Sequence, residues 1–195
     1  GYFEVEALKQ LRKGRDTLQG HPSMTKTRGV DATTGSLGQG LSIANGMALY
    51  AKRSHMKQRI YCLCGDGEIQ EGQVWEAAES AVKYQLDNLV VFVDNNRLQN
   101  DGECEDIMPT QDLQEKFKAF GFETYRINGH AMEEIVGTLD TVRANKNGKP
   151  KAIVCNTVKG KGISFMENVP IWHGQAPNDE QYKIAMEDLE RGFES

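Results

Sequence analysis

At 195 residues the chain is the size of one ordinary domain, long enough to bury roughly 70% of its unfolded surface in a real core. A formal charge of −5 and a pI near 5.5 argue against a nucleic-acid or membrane-surface partner held by general electrostatics. No apolar run approaches the ~20 residues that span a bilayer, and no signal-peptide pattern opens the chain.

Four cysteines (Cys62, Cys64, Cys104, Cys155) are scattered, without the second close-spaced pair a zinc site needs, so reduced thiols in a cytoplasmic protein are expected. Cys62 and Cys64 should share one face of a strand. The chain opens at Gly1 and enters a helical pattern at once, which suggests a domain truncated at its amino end.

Val5, Leu8 and Leu11, three apart, predict a short amphipathic helix over 4–13. Residues 14–35 are dense in Gly, Thr and Ser, include His21-Pro22, and read as a long functional loop. From Ser36 to His55 a buried helix is expected, its Gly38, Gly40, Ala44 and Gly46 permitting close packing. Strand-like runs at 59–64, 89–94, 122–127 and 151–156 alternate with helical patterns at 71–84, 111–120 and 131–144. Such alternation predicts an α/β fold, a doubly wound, mainly parallel sheet flanked by helices. A last helix is expected over 179–191, with Asn178 as N-cap and Gln181 as its capping-box partner.

Two strand tips carry the strongest chemical signal. The first strand ends in Gly65-Asp66-Gly67-Glu68 and the second in Asp94-Asn95-Asn96. Parallel strands present ligand groups at their carboxyl ends, so both tips should face one crevice. The Asp66 carboxylate and the Asn96 amide oxygen are hard donors of the kind magnesium takes alongside phosphate oxygens. Gly67 leaves room for a phosphate at the start of the next helix. A diphosphate bridged to a metal is the natural occupant. Taken separately, each tip is also an ordinary turn closing a strand. Neither Gly35-Ser-Leu-Gly-Gln-Gly40 nor Lys159-Gly-Lys-Gly162 has the order of a nucleotide-binding motif. His55 should be solvent-exposed, and His130, in Asn128-Gly129-His130, reads as a turn or cap residue.

Gly65-Asp66-Gly67 followed, after residues 68–94, by Asn95-Asn96 resembles the metal and diphosphate motif of thiamine-diphosphate enzymes. Gly20-His21-Pro22, Thr33-Thr34 before Gly35-Ser-Leu-Gly-Gln-Gly40, Gly65-Asp-Gly-Glu-Ile-Gln-Glu71-Gly72, Asn96-Arg-Leu98 and Trp172-His173-Gly174 resemble transketolase, in order and over nearly the whole chain. The extent is that of its amino-terminal, diphosphate-binding half, which in split transketolases is a separate subunit.

The resemblance implies thiamine diphosphate with Mg2+ (or Ca2+), the metal held by Asp66, the Asn96 side-chain oxygen and the Leu98 carbonyl. It places Gly35, Ser36 and Leu37 against the cofactor's rings, and Gly65, Gly67, Asn96 and His173 on the diphosphate. His21 and His173 would face the substrate, where an imidazole can donate to a carbonyl oxygen or move protons. Glu71 would meet the partner's catalytic glutamate beside the cofactor; an acidic first helical turn is the plainer alternative.

The activity implied is transfer of a two-carbon ketol unit between sugar phosphates, as in the pentose phosphate pathway. It would require a carboxyl-terminal subunit carrying the pyrimidine-binding domain, the pair self-associating as an α2β2 heterotetramer. Asn100, where many transketolases have an apolar residue, would make the thiazolium pocket more polar. A dihydroxyacetone synthase-like enzyme, a branched-sugar phosphate transketolase or a non-catalytic cofactor-binding module are the alternatives.

Overall fold

The computed structural model describes residues 1–14 and 18–193. Four parallel strands form the main sheet in the order β1-β2-β6-β5, with β1 at Ile60–Gly65, β2 at Leu89–Asn95, β5 at Glu123–Asn128 and β6 at Lys151–Asn156. A small antiparallel hairpin, β3 (Leu98–Gln99) with β4 (Gly102–Glu103), follows β2. The two central strands are buried almost continuously, as their unbroken apolar runs require; on edge strand β1, buried Cys62 and Cys64 alternate with exposed Tyr61 and Leu63.

Helices cover both faces. The helices α1 (Gln39–Arg53), α2 (Gly72–Lys83) and α4 (Leu113–Phe120) pack through Leu41, Val74 and Phe117 onto Val91, Val93 and Val154. Burying side chains of this kind contributes ~1.5–3 kcal/mol each. Opposite them, α5 (Met132–Ala144) sets Val142 and Ile135 against Val90, Ile127 and Ile153. Trp75 of α2 stacks on Phe120, and Phe117 meets Trp75 and Phe122, joining α2 to α4. The sheet is therefore doubly wound, as expected.

Local signals set most boundaries. Asp112 caps α4 by accepting the Glu115 amide at 3.1 Å. The expected capping box opens α6 (Asp179–Phe193): Asn178 Oδ1 accepts from Gln181 N–H at 2.9 Å, and Gln181 Oε1 accepts from Asn178 N–H at 3.0 Å. Helix α1 starts three residues later than expected, because Gly38 adopts φ +80 and the chain cannot turn helical before it. A short helix α3 (Cys104–Ile107) and two 3-10 turns, Glu68–Gln70 and Pro170–His173, were not foreseen.

The amino-terminal expectation is corrected. Val5–Gln10 is a 3-10 helix, and Val5, Leu8 and Leu11 are all exposed. A spacing of three is the repeat of a 3-10 helix, so Val5 and Leu8 fall on one outer side of it, and Leu11 is its C-cap. The loop expected over 14–35 is irregular where it is described; residues 15–17 of it lie outside the described residues.

Register positions the site. Gly65 stands opposite Asp94, Asp94 opposite Cys155, and Asn95 and Asn128 both opposite Asn156. Strands β2, β6 and β5 thus end level, with β1 one residue short, and Asn95 Nδ2 donates to Asn156 Oδ1 at 3.1 Å across the tips. Neighbours β2 and β6 are far apart in sequence, with α4 and α5 leaving to opposite faces. A crevice opens at their carboxyl ends, where α/β sheets bind ligands.

Candidate cofactor and metal site

Asp66 is the centre of the tip cluster. It is 1% exposed, its Oδ1 accepts from Gly67 N–H at 2.9 Å, and its Oδ2 accepts from Arg97 N–H at 2.5 Å. Arg97 has φ +64, a left-handed backbone that its amide bond to Asp66 helps to hold. The next amide, Leu98 N–H, donates to Asn96 Oδ1 at 2.9 Å. The Asp66 carboxylate and the Asn96 oxygen therefore grip consecutive amides of one turn. Asn96 Nδ2 donates to Asp94 Oδ2 at 3.2 Å, and Thr157 Oγ1 donates to Asp94 Oδ1. Burial pushes the Asp66 carboxyl above the ordinary range; the Arg97 and Gly67 amides pull it down, and the charge of Asp94 adds to the rise.

None of the ion pairs among the described residues involves Asp66 or Asp94. Two neighbouring carboxylates, one fully buried, thus stand with an amide oxygen beside them and no side-chain cation against them. These are oxygen donors of the kind a small divalent cation takes, although among the described residues no group of three His, Cys, Asp or Glu is placed to hold a metal ion.

A cleft of about 590 Å³ runs between the first turns of α1 and the edge of β1. Gly35, Ser36 and Leu37 line it with Gly40, Cys62 and Glu68, and Leu37 is 60% exposed toward solvent. An apolar side chain held open in this way suits the face of a ring system. His21 belongs to this wall: a Cβ at Gly35 would lie 2.4 Å from its Cγ and 2.5 Å from its Nδ1. The ring thus rests on bare backbone, which Gly35 also permits by its φ of +108. Glu71 is exposed, and its Cβ would be 2.8 Å from a Cβ at Gly38.

A second cavity, about 430 Å³, is lined by Leu63, Asp94, Asn96, His130, Thr157 and Lys159 among others, and Leu63 borders both. His130 Nε2 accepts from Val158 N–H at 2.8 Å, and His130 N–H donates to Asn128 Oδ1 at 3.0 Å, so this histidine braces two loops. His173 is exposed on the 3-10 turn after β6 and lines neither cavity. Its segment is folded on itself, with Trp172 Nε1 donating to the Phe165 carbonyl at 3.0 Å. The structure therefore brings together Gly35, Ser36, Leu37 and His21 at one wall, and Gly65, Asp66, Gly67, Asn96 and Leu98 at the strand tips. It leaves His173 apart.

Two residues were missed in the sequence. Glu68 Oε1 accepts from Gly38 N–H and its Oε2 from Gly65 N–H, both at 3.1 Å, clamping the two glycine loops together. Lys159, set aside because its motif lacks nucleotide spacing, lines the same cavity as Asn96. Its place next to a strand tip, rather than any motif, was the available signal.

Fold and tip together define a parallel α/β domain whose polar groups gather at the carboxyl ends of its strands, in the manner of cofactor-binding sheets. The chain belongs to the transketolase family: residues 1–194 match the family model described as transketolase, thiamine diphosphate binding domain. It is 43% identical over 189 residues to an apulose-4-phosphate transketolase subunit from Actinobacillus succinogenes, covering 97% of this chain and 68% of that protein. Identity is also 43%, over 191 residues, to the 6-deoxy-6-sulfo-D-fructose transketolase subunit SqwG of a Clostridium species, covering 98% and 69%. Among solved structures, transketolase from Campylobacter jejuni superposes with a TM-score of 0.89 at 34% identity, covering 96% of this chain and 30% of that one.

Proposed function

We propose that this chain is the thiamine diphosphate-binding subunit of a two-subunit transketolase, moving a two-carbon ketol unit from a ketose phosphate to an aldose phosphate. The observation that carries the reading is the buried Asp66 carboxylate, hydrogen-bonded by the Arg97 and Gly67 amides and, among the described residues, in no ion pair. The names of two similar relatives as subunits of transketolases support the division of labour.

On this reading Asp66, the Asn96 side-chain oxygen and the Leu98 carbonyl would hold magnesium, whose charge would offset that of a diphosphate. The Gly67 amide, which donates to Asp66 Oδ1 here, would be a diphosphate donor. Lys159 adds a positive charge at the neighbouring cavity. Gly35, Ser36 and Leu37 wall the rings. Thiamine diphosphate supplies the carbon nucleophile for cleavage beside a ketone. His21, resting on Gly35, donates from its imidazole to substrate oxygens, stabilising charge as it develops. His173, which lines neither cavity here, would be the diphosphate and substrate histidine on the family's pattern. Glu71, exposed at the start of α2, meets the partner.

The pyrimidine-activating glutamate would belong to that partner, so the chain alone should be inactive. The test is reconstitution: this chain and its pyrimidine-binding partner are assayed apart and mixed, with thiamine diphosphate and magnesium. Turnover only in the mixture is expected; full turnover by the lone chain would sink the two-subunit reading. In the mixture, Asp66→Ala should abolish magnesium-dependent cofactor binding by calorimetry, and unchanged affinity would refute the ligand assignment.

A further inference from the structure

We propose that Cys62 and Cys64 form a reversible dithiol–disulfide pair in the wall of the α1–β1 cleft. The two residues sit two apart on edge strand β1, with their side chains on the same face and their Sγ atoms 3.6 Å from each other. Cys64 is 1% exposed, whereas Cys62 retains 8% and lines the cleft. One sulfur thus meets what enters the cleft, and the other stands behind it in contact. Cys104 and Cys155 have no such arrangement: Cys155 faces the α5 side of the sheet, and Cys104 opens α3.

The chemistry needs an oxidant of the hydroperoxide class. The Cys62 sulfur attacks the peroxide oxygen, the O–O bond breaks, and Cys62 becomes a sulfenic acid as the peroxide leaves as an alcohol or water. The Cys64 sulfur then attacks the sulfenic sulfur; its proton leaves with the hydroxyl as water, and the S–S bond closes. Two thiols lose two electrons and two protons, and one peroxide is reduced. An external dithiol reverses the step by exchange.

Strand geometry makes the product labile. Residues two apart on a strand are roughly 6.6–6.8 Å apart at Cα. That is the upper end of the range a disulfide spans, about 4.4–6.8 Å. Shortening the sulfur separation from 3.6 Å to a bond therefore puckers β1 between Cys62 and Cys64. A strained disulfide of this kind is readily reduced, which suits a switch rather than a staple. The pucker lands next to the tip, since Gly65 and Asp66 follow Cys64 directly and the Gly65 amide is the one held by Glu68. Oxidation should loosen that clamp and with it the Asp66 turn. The disulfide stands on the sulfur geometry alone; its consequence for cofactor binding rests on the function proposed above.

The test uses the full chain, reduced and then titrated with hydrogen peroxide. Intact mass should fall by two hydrogens, two of the four thiols should remain titratable, and peptide mapping should place the link between Cys62 and Cys64. The doubly substituted Cys104→Ser/Cys155→Ser chain should behave the same, and Cys64→Ser should stop at a sulfenic acid that dimedone traps on Cys62. Retention of all four thiols, direct passage to sulfinic acid, or a link through Cys104 or Cys155 would overturn the proposal. Hydrogen exchange over residues 60–72 should quicken at least several-fold in the oxidised form and return with dithiothreitol; unchanged exchange would overturn the switch. Thiamine diphosphate titrated with magnesium into the reduced chain mixed with its partner tests the cofactor reading separately, and its failure would leave the mass and thiol results to decide the disulfide.

Discussion

Glu68 and Gly38 stand 30 residues apart, and the Glu68 carboxylate accepts the Gly38 amide at 3.1 Å while its other oxygen holds Gly65. One side chain thereby fixes the loop that lines the ring cleft to the turn that carries Asp66. Hydrogen bonds to a charged group contribute about 1.5–3 kcal/mol each when shielded, and less where water competes. Glu68→Ala should therefore lower stability by about 1–3 kcal/mol in urea with no change in slope. Exchange at the Gly38 and Gly65 amides should quicken with it. Glu68→Gln, which keeps one acceptor, should fall between; equal stability of all three would show that the clamp holds nothing.

How much of this was legible in the sequence depends on the range of the contact. Strands β2 and β6 announced themselves as unbroken apolar runs, and the capping box at Asn178 and Gln181 is local chemistry that needs no tertiary context. Asp66 and Asn96 stood out because both end strands, and parallel pairing put both tips at one edge. Glu68 was invisible as a site residue: nothing about a glutamate after Gly-Asp-Gly says that its carboxylate will reach a loop 30 residues back. His21 and Gly35 were each named by the resemblance, but the contact between them was out of reach of the sequence. The amino-terminal stripe misled because a spacing of three serves a 3-10 turn as well as an α-helix, and only burial distinguishes them.

Gly35 and His21 give a direct check on that wall. An alanine at position 35 must bear φ +108, which costs about 1–2 kcal/mol for an L-residue, and must also displace a ring 2.4 Å from its methyl group. Gly35→Ala should lower both stability and turnover in the reconstituted enzyme. Adding His21→Ala should relieve the steric part of the stability loss while leaving the backbone part, a coupling visible in a double-mutant cycle by thermal unfolding. Strict additivity would mean that the ring moves aside without cost.

The opposite end of the sheet offers a stability change that should spare the site. Lys151 is 0% exposed at the start of β6, with Nζ donating to Asn147 Oδ1 at 2.8 Å and to the Lys149 carbonyl at 2.6 Å, and with Glu123 at 3.6 Å. Glu123→Ala would leave that ammonium without its anion, and a loss of about 3 kcal/mol is expected. Burial alone would raise the Glu123 carboxyl, but hydrogen bonds from Tyr125 and Asn147 and the charge of Lys151 hold it below the ordinary range. A depressed folded value means that this stabilisation is present above the unfolded carboxylate range and is lost as pH falls through the folded one. The wild-type chain should show that acid limb and Glu123→Gln should not. At alkaline pH Tyr125, pushed up to about 12 by burial and by Glu123, adds stability that disappears as pH rises through that value. Cofactor affinity of Glu123→Gln at neutral pH should match the parent.

Asp66 should behave in the contrary sense. Burial raises its folded value above the unfolded one, so its protonated form favours the fold, and acidification through that value stabilises the metal-free chain at this group. The same proton competes with a cation for the carboxylate. Magnesium should therefore raise the melting temperature at neutral pH, and the gain should shrink progressively on acidification as the proton competes. Asp66→Ala removes the carboxylate and should show no magnesium-dependent gain at any pH. Thermal unfolding of both chains across a pH series, with and without magnesium, measures the difference directly. A magnesium gain in wild type that does not shrink on acidification, or one that survives in Asp66→Ala, would place the cation elsewhere than on this buried carboxylate.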